Sequence, residues 1–176
     1  MFAIACDNQA LIAAVQARLS SLLARFGPTS LGGILSITLP LPPGCKPDLS
    51  RLPLDSVFWA RGGTGSFRVG SGSAVSYHGR GAERFATLHR GMDDLRRRWI
   101  CLDPDNTGFR AQAFLGLPFS AGTGLGEDWL HAGDARLTLP LLLYRHKGPI
   151  GSLTFSHPLK SVGDSGRILE LWLDQL

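Results

Sequence analysis

Between Leu11 and Phe26 the apolar positions fall three and four residues apart, at Leu11, Ile12, Val15, Leu19, Leu22, Leu23 and Phe26. That spacing lays one stripe along a helix face. Asp7 and Asn8 precede it with side chains suited to orphan amides. Gly27-Pro28 ends it, because glycine accepts the left-handed cap and proline has no N–H to continue the ladder. Residues 34–39 then alternate apolar and polar with β-branched members, which predicts a strand stopping at Pro40. Five prolines and Gly44 between Pro40 and Pro53 predict a surface connection.

Residues 56–60, 67–69 and 74–77 are rich in strand formers and separated by glycine turns, the pattern of an antiparallel meander. Phe85, Leu88, Met92, Leu95 and Trp99 predict an amphipathic helix over residues 82–99. Residues 113–119 read as a buried strand with Gly116 at a bulge or close approach. A loop over 120–134, holding four glycines and Trp129, fits neither period. Strands over 135–144 and 150–156 flank His146-Lys147-Gly148-Pro149 as a hairpin turn. A last helix follows Asp164 and Ser165, with Ile168, Leu169, Leu171, Trp172 and Leu176 as its apolar positions. Helices covering one face of a mainly antiparallel sheet make this an α+β (mixed α/β) fold, expected to form a single domain over residues 1–176.

Composition supports a core and narrows the partners. At 44% hydrophobic and 18% charged, 176 residues fit a globular domain and not a disordered or fibrous chain. The net charge of +4 comes from fifteen arginines and three lysines scattered along the chain, so no nucleic-acid surface is expected. The densest run, Arg96-Arg97-Arg98, closes the second helix, where cations complement the dipole. Cys6, Cys45 and Cys101 are odd in number and lack metal-ligand spacing, so neither a disulfide scaffold nor a zinc site is expected; a reducing cytoplasm is the expected setting. The apolar start meets Asp7 too soon for a secretory leader, and the longest apolar run, residues 137–144, is far short of a membrane span.

The candidate chemistry is sparse. Gly62-Gly63-Thr64-Gly65, Gly70-Ser71-Gly72 and Gly122-Thr123-Gly124-Leu125-Gly126 match neither a dinucleotide fingerprint nor a P-loop, and read as turns. His78, His89, His131, His146 and His157 never fall at helical metal-pair spacing, and His89 lies off its helix stripe, toward solvent. Asp93-Asp94, Asp103 with Asp105, and Glu127-Asp128 are neighbours, whereas general acid/base work needs opposed groups in a pocket. No nucleophile elbow or Cys/His signature occurs. No catalytic, cofactor-binding or metal-ligating residue is assigned on the residues alone.

The order of segments nevertheless resembles the N-terminal region of isochorismate synthases, the menaquinone-pathway type especially, within the chorismate-utilising enzymes. Val57-Phe58-Trp59-Ala60-Arg61 is similar to that family's aromatic strand, and Phe67-Arg68-Val69-Gly70-Ser71-Gly72 to its following Gly-x-Gly segment. Ala82-Glu83-Arg84-Phe85 resembles the opening of its helix, and Ala135-Arg136-Leu137-Thr138-Leu139-Pro140 its Leu-x-Leu-Pro strand. Phe114-Leu115-Gly116-Leu117-Pro118-Phe119-Ser120 resembles the Gly-Gly-x-x-Phe-Asp-Pro region, although Phe119-Ser120-Ala121 departs from its end. The resemblance runs from about Leu31 to Ser156.

It implies that the chemistry belongs to a later, chorismate-binding half. There a lysine in a Lys-Val-Val-Leu-(Ala/Ser)-Arg strand activates water, a glutamate is the general acid, and carboxylates hold magnesium. Lys46, Lys147 and Lys160 stand in other contexts, so no catalytic residue is carried over. The chain is then expected to be inactive alone and to hold no cofactor of its own, with magnesium implied only for the missing half. Its expected partner is that half, in cis or as a separate chain, packed over the face that carries Trp172. Two other readings stay open: a stand-alone binding or interaction module built on this fold, and the front half of another chorismate user, such as a salicylate or anthranilate synthase.

Overall fold

The period-two stretch after the first helix becomes a central strand in a computed structural model, which describes residues 4–5, 8–26, 32–53, 56–117, 134–159 and 165–176. These residues form three α-helices and eleven strands. A short pair, β1 (Ile4–Ala5) and β3 (Lys46–Pro47), stands apart from two larger sheets. The six-stranded sheet contains β2 (Ile34–Leu41), β4 (Val57–Arg61), β5 (Ser66–Ser71), β7 (Trp99–Leu102), β10 (Leu142–Lys147) and β11 (Ile150–Pro158), in the order β4-β5-β10-β11-β2-β7. Every pairing in it is antiparallel except β2 with β7. The three-stranded sheet runs β6 (Val75–Gly79), β9 (Ala135–Leu139), β8 (Phe114–Gly116), all antiparallel.

Helix α1 (Asn8–Phe26) turns Leu11, Val15, Leu19, Leu22 and Leu23 inward, as their spacing requires. They meet Leu35, Ile37, Leu39 and Leu41 of β2, together with Leu153 and Phe155 of β11, in one core. Helix α3 (Ser165–Leu173) packs beside α1 and closes that layer. Trp172 has no solvent exposure; its ring lies 5.7 Å from that of Phe155, and its indole N–H donates to the Ser156 carbonyl at 3.2 Å. Trp172 is therefore covered within the chain and is not left exposed for a partner, contrary to the expectation that its face stands open.

The reverse face of β2 and β11 is polar yet buried. Ser36 and Ser156 share a hydrogen bond of 2.7 Å, Thr38 and Thr154 one of 2.9 Å, and the Trp99 indole donates to Ser36 Oγ at 2.7 Å. Paired hydroxyls answer one another's desolvation, so the alternation in β2 separates an apolar face from a hydroxyl face, both buried from Ile34 to Leu39.

Helix α2 (Arg84–Arg98) covers the smaller sheet through Leu88, Gly91 and Leu95. Phe85, placed on the apolar stripe by its spacing, is 58% exposed. Trp99 leaves the helix with extended dihedrals and opens β7, a parallel strand that the helical period had absorbed.

Other departures have local causes. β2 continues through Pro40, because β7 flanks only Ile34 to Ile37 and proline's missing N–H falls where the strand has one neighbour. The connection after it holds β3 and a short 3₁₀ turn, Leu49–Arg51, whose Ser50 N–H is capped by Asp48 at 3.0 Å. The expected meander divides: β4 and β5 form a hairpin, then Gly72, at φ +63°, lets β6 join the other sheet. The single strand over 135–144 is two strands, split where Pro140 interrupts the ladder. The hairpin turn narrows to Gly148-Pro149, with His146 and Lys147 in β10. β8 is a short edge strand with Leu115 51% exposed, not a buried one. The close approach lies at Gly70, where a Cβ would stand 3.0 Å from the Phe114 ring; at Gly116 the nearest atom would be 4.0 Å away.

Candidate functional site

The densest polar cluster lies where α2 meets β6. Gly91 has no side chain, so the Tyr77 ring can lie against the helix; an added Cβ would stand 2.7 Å from Tyr77 Cγ. From there the Tyr77 hydroxyl donates to Asp94 at 2.5 Å. Arg98 also donates to Asp94 and extends to the Gly32 carbonyl at 3.1 Å, tying the end of α2 to the start of β2. A hollow of about 520 Å³ opens beside this cluster, with Thr87, Arg90, Asp93 and Arg97 on its rim.

Electrostatics make the cluster a clamp. Burial, reinforced by the Asp94 hydrogen bond, pushes the Tyr77 phenol up. The Tyr77 hydroxyl, then the Arg98 guanidinium, hold the Asp94 carboxyl below the usual carboxylate range. The two shifts favour a neutral phenol donating to a charged carboxylate, the arrangement of a hydrogen-bonded pair. Neighbouring His89 is 70% exposed and sits 3.3 Å from Asp93.

On the other face of the small sheet, Ser76 Oγ lies 2.9 Å from His78 Nε2 and accepts from Arg136 Nε at 3.3 Å. Burial, then the charges of Arg136 and Arg80, hold His78 below its ordinary value.

A second kind of surface lies at the outer edge of the large sheet. All five residues of β4 are exposed, among them Val57, Phe58 and Trp59 at 39–49%. Behind them Phe67 stacks on Tyr144 at 5.5 Å and on His146 at 5.1 Å, so the apolar edge is continuous with the core. Edge strands of this character present unpaired backbone and apolar side chains together.

Residues singled out in the sequence are dispersed. His131, Glu127, Asp128, Gly122 to Gly126, Cys6 and Lys160 lie outside the described residues. Gly63 and Gly65 adopt positive φ in the β4–β5 turn. Cys45 is buried and Cys101 exposed, both as free thiols. The Asp103 carboxylate accepts from the Thr107 and Gly108 amides, and Asp105 pairs with Arg18 at 2.6 Å. Lys46 lies in β3 and Lys147 ends β10. Among the described residues no three His, Cys, Asp or Glu side chains come together to hold a metal, and no helix is long and apolar enough to cross a membrane. Nothing in the linear pattern singles out Tyr77, whose importance comes from a glycine fourteen residues away.

No family model and no curated protein matches the chain. Among solved structures, MenF, the menaquinone-specific isochorismate synthase from Escherichia coli, matches with a TM-score of 0.50 over 93% of this chain at 16% identity. The fold is similar to part of that isochorismate synthase. At this identity the likeness concerns architecture: a mixed α+β chain with antiparallel-dominated sheets. The chain spans about a third of MenF, 34% of its length.

Proposed function

We propose that this chain is the N-terminal, non-catalytic part of an isochorismate synthase-like protein, and that it acts as a scaffold for a chorismate-binding half supplied in cis or by a separate chain. The observation that carries the reading is the coverage: nearly the whole chain matches MenF, while about two thirds of MenF has no counterpart here. The matching fold holds the aromatic β4 strand at an exposed edge. In this reading magnesium and the water-activating lysine belong to the other half, and β4 replaces the α3 face as the surface that meets it.

The test is complementation. The chain alone, with chorismate and magnesium, is expected to give no isochorismate; a separately expressed chorismate-binding half is expected to gain stability and turnover when the chain is added. Turnover by the chain alone would overturn the proposal. One observation favours the second reading, a stand-alone interaction module: Ile168, Trp172 and Leu176 close the core without any partner. A stable monomer indifferent to the catalytic half would establish it instead.

A further inference from the structure

On the face of the large sheet turned away from α1 and α3, one row of residues runs across five strands: Trp59, Arg68, Arg145, Ser152 and Pro40. Arg68 and Arg145 are directly opposite one another, where cross-strand Cβ atoms are about 5 Å apart and like charges destabilise the pair. Neither forms an ion pair among the described residues, whose salt bridges engage Arg18, Arg96, Arg97, Arg98 and His89. Burial, then the charge of Arg68, pulls Arg145 below its ordinary value.

Each guanidinium is held by an aromatic ring. Arg68 lies 4.3 Å from the Trp59 ring centroid and Arg145 lies 4.9 Å from that of Phe109. Ring contact covers one face of each guanidinium and leaves its N–H edge for acceptors. Arg145 gives one N–H to the Arg110 carbonyl at 2.7 Å. The next residue in the row, Ser152, has no solvent exposure, and its hydroxyl has no hydrogen-bond partner. Its neighbour on the far side is Pro40, which brings no polar side chain. Two guanidiniums without a counter-charge and an orphaned hydroxyl thus share one row.

We propose that this row is an oxyanion site, in which Arg68 and Arg145 grip the phosphate or carboxylate group of a small ligand and Ser152 supplies a further donor. Planar guanidinium forks match both groups bidentately. The site is separate from the clamp on α2 and does not depend on which catalytic half the chain serves.

The full chain would be titrated with inorganic phosphate and with malonate, ionic strength being held constant with sodium chloride, and followed by calorimetry and thermal melting. Saturable binding is expected, with Tm rising as the anion is added. Arg68→Gln and Arg145→Gln should each weaken it by about tenfold or more, the loss of a charge-assisted fork. Ser152→Ala should weaken it less, by about threefold, as for one neutral hydrogen bond. Arg61→Gln, at the exposed end of β4, should leave it unchanged. In anion-free, low-salt buffer Arg68→Gln should melt no lower than the parent, because it removes a repulsion; a purely structural arginine would lower Tm. Should Arg145→Gln fail to fold, Arg68→Lys keeps the charge and loses the fork, and weakened binding is again expected. Tighter phosphate than malonate assigns a phosphoryl ligand, and the reverse a carboxylate. Responses no greater than those to chloride, or undiminished in the Arg68 variants, would overturn the site.

Discussion

Between the six-stranded sheet and helices α1 and α3, Trp172, Phe155 and Tyr144 are all completely buried, whereas among the described residues the three-stranded sheet and α2 completely bury no aromatic ring. Nineteen described residues make up the larger core and six the smaller, so apolar burial alone holds the first far more firmly than the second. The small sheet makes up the difference with polar and steric fittings. Tyr77, Asp94 and Arg98 lock helix to strand, the Gly81 amide donates to Asp134 at 2.6 Å, and Gly91 and Gly79 admit groups that any side chain would displace. A region with little core depends on individual contacts, and single substitutions there act locally.

The largest effect is expected in the large core. Trp172→Ala should cost about 3–5 kcal/mol in denaturant melts, the range for deleting a buried ring. If it cost no more than a surface change, the burial of α3 against β11 would be wrong. Gly91→Ala should cost about 1–3 kcal/mol by overpacking against Tyr77, despite alanine's better helix propensity. Hydrogen exchange should show the loss in α2, β6 and β9 while β2 and β11 stay protected.

The two regions should also differ in pH dependence: the small one carries the lowered carboxylate, while each holds a tyrosine that is pushed up. Asp94 is held below the ordinary carboxylate value of about 3.9, so its contribution is present above that pH and is lost as pH falls through the depressed value. Asp94→Asn should cost about 1–2 kcal/mol at pH 7, as for a charge-assisted hydrogen bond, and flatten the acid limb of stability. Burial pushes Tyr144, in the large core, up to about 12. Its neutral form stabilises the fold below the ordinary tyrosine value of about 10, and that contribution is lost as pH rises toward the raised one. Tyr144→Phe should flatten the alkaline limb. The smallest effect on the chain itself belongs to the exposed edge: Phe58→Ser should change stability by no more than about 0.5 kcal/mol. The same substitution should abolish complementation of a catalytic half if β4 is the docking edge.

The first helix was legible because all five of its buried leucines and valines obey one period. The second was legible in kind and in face, since Leu88 and Leu95 are buried with Met92 and Trp99 packed beside them, but Phe85 at its start is exposed. Its inward line runs through Leu88, Gly91 and Leu95, and a glycine carries no hydrophobic signal although it admits Tyr77. Only the local strand pairings, β4 with β5 and β10 with β11, were legible; the distant ones were not. Alternation in β2 marks two faces, and only the pairing of Ser36 with Ser156 and Thr38 with Thr154 reveals that the polar one is buried. For the same reason Arg68 and Arg145 look like two scattered surface charges until the β5–β10 register sets them opposite each other.

That β2 lies between β11 and β7 has a consequence for synthesis. Its longest ladder joins Ile34–Leu41 to residues more than a hundred positions later, with Ile34 opposite Pro158. Such distant pairing closes slowly and late. During translation the first helix and β2 emerge long before their partner exists, leaving the leucines of both without a lid and available to chaperones. Protease resistance of ribosome-bound chains should therefore rise in one step, only once Pro158 has cleared the exit tunnel; a gradual rise with length would show that the amino-terminal segments fold on their own.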